Sequence, residues 1–222
     1  MISNRVEQAL SRATDGVVRA LAHVSPDVLT ITELALNGVA CAFFAFAGGY
    51  DYVELAFLRI GGLVALLAAF FDMLDGRVAR LRSRGTKFGA FLDSTMDRYS
   101  DMLLYMGLIV LYARLDRTPL MLLVWVAGFG SFMTSYARAR AESLIPHCTV
   151  GFLERPERIA FLVLGALTNR MIAVLWVIAV LSNVTAIQRV VYTYVELKKG
   201  WARAEETPDE TSSRSSQRSP IA

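Results

Sequence analysis

Residues 72–101 read DMLDGRVARLRSRGTKFGAFLDSTMDRYSD. Asp72 and Asp75 are three apart, and Asp93 and Asp97 are four apart. Each spacing puts two carboxylates on one helical face, with Cβ atoms about 5–6 Å apart. The apolar run LAFLRIGGLVALLAAFF (55–71) precedes the first pair, and LLYMGLIVLY (103–112) follows the second. Four acids facing one another at membrane depth repel and lose their hydration. Metal cations are the simplest remedy. The competing reading, a cluster of solvated loop acids, fits poorly with so apolar a sequence directly behind them.

Working outward, the 222-residue chain is 55% hydrophobic, and the apolar residues gather in long runs. That composition excludes an ordinary soluble domain. A membrane-spanning helix takes about 20 mostly apolar residues, so there is room for roughly six. The expected spans are 29–49, 54–74, 90–113, 119–141, 157–168 extended at its N-terminal end, and 170–194. The fold class is therefore an all-α integral membrane protein, with six transmembrane helices and one amphipathic helix ahead of them. In residues 2–22, Ile2, Val6, Leu10, Ala13, Val17 and Leu21 recur at helical spacing among Arg5, Arg12 and Arg19. This pattern reads as a helix on the membrane surface, and a soluble helix packed on the rest of the protein is the alternative. After Lys198-Lys199 the chain turns to ARAEETPDETSSRSSQRSPIA, a composition that predicts disorder. The organisation expected is a juxtamembrane helix over 1–24, a six-helix domain over 25–200 and a cytoplasmic tail over 201–222.

Basic residues set the orientation. Arg77, Arg80, Arg82, Arg84 and Lys87 lie between the second and third segments, and Arg138, Arg140, Arg155 and Arg158 between the fourth and fifth. The opposite side carries Arg114, Arg117 and Arg170, with Asp51 and Glu54. Both termini and the acidic stretch are expected in the cytoplasm, with the chain in the plasma membrane. Cys41 and Cys148 form no disulfide framework, and His23 and His147 are isolated. No apolar stretch with a cleavage site suggests a signal peptide. No nucleic-acid partner is expected.

Carboxylates without His or Cys nearby are hard ligands suited to Mg²⁺, Mn²⁺ or Ca²⁺. Four can hold two ions that clamp a phosphoryl group. Gly76 and Ala79 would let a ligand approach the helix after Asp75, Gly89 would open the facing helix, and Arg80 can pair with a phosphate. Written out, the pattern is Asp72-x2-Asp75-Gly76-x2-Ala79-Arg80-x8-Gly89-x3-Asp93-x3-Asp97. All eight positions match the signature of the CDP-alcohol phosphotransferases, which this chain resembles. The resemblance implies a six-helix membrane enzyme, usually a homodimer, that transfers a phosphatidyl-type group from a CDP-linked lipid to an alcohol and releases CMP. It implies that Asp72, Asp75, Asp93 and Asp97 bind two Mg²⁺ or Mn²⁺ ions and that Asp97 deprotonates the acceptor. Asp72, Asp75, Gly76, Ala79, Arg80 and Gly89 would then hold the CDP-lipid. Asp101 continues the acidic face outside the signature, where a supporting or packing role fits it better than ligation.

The acceptor is read from the second basic connection. SYARARAESL (135–144) carries Arg138 and Arg140, GFLERPERIAF (151–161) carries Arg155 and Arg158, and VTAIQRVVY (184–192) carries Arg189. Five arginines at one mouth suit an acceptor that itself bears a phosphate, although topology and interfacial snorkelling are the plainer reading of each. Glu142, Glu154 and Glu157 are expected to pair with them. These strings are similar to those of the phosphatidylinositol phosphate synthase branch, which implies inositol 1-phosphate as acceptor and CDP-diacylglycerol as donor. Arg138 stands where that branch often has Lys. Archaetidylinositol phosphate synthases and enzymes joining CDP-inositol to inositol phosphate share these features. Glycerol 3-phosphate, giving phosphatidylglycerol phosphate, is the rival acceptor. Pro26, Thr30 and Asn37 in SPDVLTITELALNG (25–38) fit the family's nucleotide border, with a simple helix start as the alternative. From another class, a divalent-cation transporter would spread its acids over several helices along a polar path.

Overall fold

The computed structural model describes residues 16–18, 20, 24–48, 52–81 and 86–206, with 52–54, 79–81 and 200–206 described for their backbone alone. All regular structure among them is helical. In chain order the long helices are α1 (Pro26–Phe46), α2 (Tyr52–Leu81), α3 (Lys87–Arg114), α4 (Thr118–Ala141), α5 (Arg155–Leu167) and α6 (Met171–Glu206). The amphipathic segment expected over 1–24 lies mostly outside the described residues. Of its described part, Val18 is buried against Leu29, Leu74 and Val78 where α1 meets α2. Residues 207–222 also lie outside, and α6 continues through Glu206.

Local chemistry sets the ends of these helices. Pro26, Pro119 and Pro156 each occupy a first turn, where proline's missing N–H costs nothing. Thr86 caps α3, its hydroxyl accepting from the Gly89 N–H at 2.9 Å. Only three residues join α5 to α6. Asn169 takes the left-handed conformation (φ 56°), and the Arg170 N–H returns to the Gly165 carbonyl at 2.9 Å. That closure is a Schellman turn, and it supplies the short connection for which Asn169-Arg170 left little room.

Among the described residues four helical stretches are long and apolar enough to cross a membrane: Pro26–Phe46, Leu55–Val78, Thr118–Ala141 and Met171–Lys199. Two of the six expected spans fall outside that set. The first half of α3 carries Asp93, Asp97, Arg98 and Asp101, and its end carries Arg114. The 13 residues of α5 reach only about 20 Å at 1.5 Å each.

The main core lies where α1, α3, α4, α5 and α6 meet, through Phe44, Leu104, Leu108, Ala127, Leu162, Leu175 and Ile178. α1 packs on α2 and α3, α4 on α6, and α5 on α2. Large apolar side chains also line the outer surface, among them Leu66, Trp125, Phe129, Trp176 and Ile187. An apolar exterior over helices of spanning length fits hydrocarbon as the solvent. α1 and α3 approach so closely that a Cβ on Gly107 would lie 2.5 Å from the Cys41 carbonyl oxygen. Small residues let membrane helices pack backbone to backbone in this way.

Gly107→Ala is expected to destabilise the purified protein by about 1–3 kcal/mol, the usual penalty of overpacking. Gly38→Ala, whose Cβ would meet nothing within 4 Å, should leave the thermal midpoint in detergent unchanged or slightly raised.

Candidate active site

Two antiparallel helices carry the acids. The Asp72/Asp75 pair sits near the C-terminal end of α2, and the Asp93/Asp97 pair near the N-terminal end of α3. The fold brings them together: Asp72, Asp75 and Asp93 each offer a carboxylate oxygen within 4.8 Å of the others. Only hard oxygen donors converge there, the chemistry that suits a divalent cation. Asp75 is 5% exposed, and its Oδ2 accepts from the Thr30 hydroxyl at 3.0 Å. That hydroxyl also lies 3.2 Å from the Pro26 carbonyl, so Thr30, expected at the nucleotide border, contacts the acid cluster.

On the fourth acid, Asp97, Oδ1 is buried without a hydrogen-bond donor. Arg155 Nη1 lies 2.8 Å away, close enough for an ion pair but not aligned as a hydrogen bond. A buried carboxylate oxygen with an ion-pair partner but no hydrogen bond, beside three further acids, fits a cation, and the four residues of the signature are the ones that would hold it.

Arg155, the first residue of α5, is the hub. Its Nη1 donates to Asp72 Oδ1 at 2.8 Å, Nη2 to Glu33 Oε1 at 3.1 Å and Nε to Asp101 Oδ1 at 3.1 Å. Its partners lie on α1, α2 and α3. Arg158, one turn on and 1% exposed, donates from Nη2 to Asp101 Oδ2 and to Ser135 Oγ, both at 3.2 Å. Asp101 thus holds two arginines in place, in keeping with a supporting role outside the signature.

The remaining basic residues divide. Arg138 pairs with Glu142 at 3.0 Å and Glu154 at 3.1 Å. Arg189 donates to the backbone carbonyls of Val150 at 2.9 Å and Thr134 at 2.8 Å, tying the 142–154 loop to α4 and α6. Gly151 makes that loop fit: its φ is 134°, and a Cβ there would lie 2.3 Å from Thr185 Cγ2. Arg138, Arg155, Arg158 and Arg189 line one cavity of about 420 Å³ with Asp97, Asp101 and Ser135. Arg140 follows Arg138 by two residues and sits about 200° around the helix from it. It is exposed, donates to Ser143 at 3.4 Å and does not line that cavity. Glu157 is exposed and pairs with no arginine among the described residues.

Among the signature's other positions, Gly76 leaves the flank of α2 open, since a Cβ there would meet nothing within 4 Å. Gly89 sits in the capped first turn of α3. The side chains of Ala79 and Arg80 lie outside the described residues.

A second cavity, about 580 Å³, runs between α1, α2 and α5 past Leu66, Ile159 and Leu164 to Glu33, Asp72 and Arg155. Sequence reading passed over Glu33. It is 2% exposed and accepts from Asn37 Nδ2 at 2.6 Å and Ser100 Oγ at 2.8 Å as well as from Arg155. The signal was present as a carboxylate inside an apolar helix, an expensive and commonly functional placement.

Residues 23–195 match the family model described as CDP-alcohol phosphatidyltransferase. An archaetidylinositol phosphate synthase from Methanothermobacter thermautotrophicus is 37% identical over 202 residues, covering 88% of this chain and 95% of that protein. A phosphatidylinositol phosphate synthase from Mycobacterium tuberculosis is 34% identical over 194 residues, covering 82% and 85%. The crystal structure of the M. tuberculosis enzyme with CDP-DAG bound superposes with a TM-score of 0.71 at 31% identity, covering 82% of this chain and 94% of that one. The same enzyme in complex with manganese and citrate gives a TM-score of 0.71 at 33% identity, covering 82% and 88%. This chain belongs to the CDP-alcohol phosphatidyltransferase family and is a membrane enzyme of that class. Its acid cluster, Asp72, Asp75 and Asp93, has the oxygen donors that could hold a divalent cation.

Asp101→Ala should destabilise the protein by about 3–5 kcal/mol, because it strands the buried Arg158 guanidinium. Arg138→Ala, which breaks only half-exposed pairs, should stay within about 1 kcal/mol. Denaturation of both variants in detergent checks the contrast.

Proposed function

We propose that this enzyme transfers the phosphatidyl group of CDP-diacylglycerol to inositol 1-phosphate, releasing CMP and forming phosphatidylinositol phosphate. The observation that carries the reading is the meeting of two unlike cavities at one residue. Arg155 and Pro156 line both the apolar groove and the arginine-rich cavity. The groove suits a lipid chain, with the diphosphate at its polar end beside Asp72. The other cavity ends at Asp97 and suits a small acceptor carrying a phosphate, which guanidinium groups recognise through paired hydrogen bonds.

In the proposed reaction the acceptor hydroxyl gives its proton to Asp97. Its oxygen then bonds to the lipid-side phosphorus as the bond from that phosphorus to the CMP oxygen breaks. The Asp97 oxygen that lacks a hydrogen-bond donor has the lone pair this step needs. Arg155 adjoins both cavities and can hold acceptor phosphate and acids in register. Asp72, Asp75, Asp93 and Asp97 would hold two ions, Mg²⁺ or Mn²⁺. When bound, these would stabilise charge on the diphosphate and on the departing CMP. Thr30 orients Asp75, Gly76 keeps α2 approachable, and Ala79, Arg80 and Gly89 complete the donor side by their place in the signature. Arg138, Arg158 and Arg189 complete the acceptor side.

The distribution of basic residues supports an active site facing the cytoplasm from the plasma membrane, with both termini on that side. In this organisation α3 and α5 also span, 1–24 forms a surface helix, 25–200 is the catalytic domain and 201–222 is a cytoplasmic tail. The family resemblance supports a homodimer. The archaeal relative favours a second reading of the donor, in which the lipid is archaetidyl and the acceptor is the same.

An acceptor panel with CDP-diacylglycerol and purified protein tests the assignment. Inositol 1-phosphate should be the preferred acceptor, and preference for glycerol 3-phosphate would overturn it. Asp97→Asn should lower turnover by about 10²–10⁴-fold, the usual worth of a general base, while still binding Mn²⁺. Near wild-type turnover in that variant would refute its role.

A further inference from the structure

We infer that Glu33, on α1 and outside the eight-residue signature, is a positioning residue that fixes Arg155 between the two cavities. Three nitrogens of the Arg155 guanidinium are bound in three directions: Nη1 toward Asp72 and Asp97, Nε toward Asp101, and Nη2 toward Glu33. Three of these four acids lie on α2 and α3. Glu33 alone draws the guanidinium toward α1 and is the innermost of the four, its side chain 2% exposed.

The surroundings of Glu33 hold it for that task. Asn37 donates to the same oxygen that accepts from Arg155, and Ser100, on α3, donates to the other. A carboxylate so deeply buried is retained only with a charged partner and filled hydrogen bonds, and Arg155 is its only ion-pair partner among the described residues. Without the Glu33 charge, Arg155 keeps only the acids of α2 and α3, and its charge falls more heavily on Asp72 and Asp97. Those are carboxylates the cation site needs, and an arginine held more tightly there is less available to an acceptor phosphate. Glu33 therefore acts on the acceptor and the cation through Arg155, without touching either. The acceptor half of this inference rests on the proposed function; the cation half does not.

The test uses full-length protein in detergent or nanodiscs, comparing wild type, Glu33→Gln, Arg155→Gln and the double variant. Kinetics with CDP-diacylglycerol and inositol 1-phosphate are measured beside Mn²⁺ binding by electron paramagnetic resonance in the absence of substrate. Glu33→Gln should raise the KM for inositol 1-phosphate about tenfold, the scale of one charge-assisted hydrogen bond. Mn²⁺ affinity should fall in Glu33→Gln, and the fall should largely vanish when Arg155 is already Gln. Glu33→Asp should restore part of both properties, which a purely structural defect would not allow. Should Glu33→Gln not fold, Ser100→Ala should shift the same two quantities in the same direction by a smaller factor. Equal losses of Mn²⁺ affinity with and without Arg155, or an unchanged acceptor KM beside an altered donor KM, would overturn the inference. If inositol 1-phosphate proves not to be a substrate, the Mn²⁺ cycle still decides whether Glu33 works through Arg155.

Discussion

One guanidinium among four carboxylates is the interaction on which the rest of this site depends. Arg155 contacts Glu33, Asp72, Asp97 and Asp101 at 2.8–3.1 Å. Removing any of these charges from water is unfavourable by several kcal/mol, so none is stable there alone. Their mutual attraction ties α5 to α1, α2 and α3 at one end of the bundle. Asp101 passes the constraint to Arg158, and Arg158 to Ser135 on α4 and the Leu153 carbonyl. A short helix that makes little contact with α4 is thereby set between two helix pairs.

The placement of that charge accounts for the two cavities. The apolar groove and the arginine-rich cavity would otherwise be separate features of a helical bundle, and both have Arg155 and Pro156 in their walls. A lipid-linked diphosphate in one and a water-soluble phosphate ester in the other would therefore both adjoin Arg155. The described acids of the cluster lie on α1 and at one end of α2 and α3, facing Arg155 at the start of α5 and beside a basic pocket. That arrangement is what a group-transfer site between membrane and water requires, and it differs from the acids distributed along a path that ion transport needs.

Much of this was legible in the sequence. Helical spacing paired Asp72 with Asp75 and Asp93 with Asp97, and the signature joined the two pairs, whose helices both pack on α1. The ERPER string marked Arg155 and Arg158 because proline and clustered charge start a helix at an interface. The partners across helices were not legible. Glu33 and Arg155 are 122 residues apart, and periodicity says which face a residue occupies without saying what stands opposite. For the same reason the hydrogen bond from the Thr30 hydroxyl to Asp75 was not legible. Arg140 was grouped with Arg138 by proximity in sequence, although two residues along a helix point in nearly opposite directions. Composition counted six spans, yet α3 and α5 lack the apolar length of the other four, because one carries the acids and the other is short.

The measurement that bears most directly on Arg155 as the junction of donor and acceptor is the rate of CMP release from CDP-diacylglycerol as inositol 1-phosphate is varied, in wild type and Arg155→Lys. Lysine keeps the charge but gathers its donors on one compact nitrogen and loses the planar fork that spans the four acids. The account predicts that the KM for inositol 1-phosphate rises at least about tenfold, as for other lost charge-assisted hydrogen bonds. An unchanged acceptor KM, or a change confined to the donor, would contradict it.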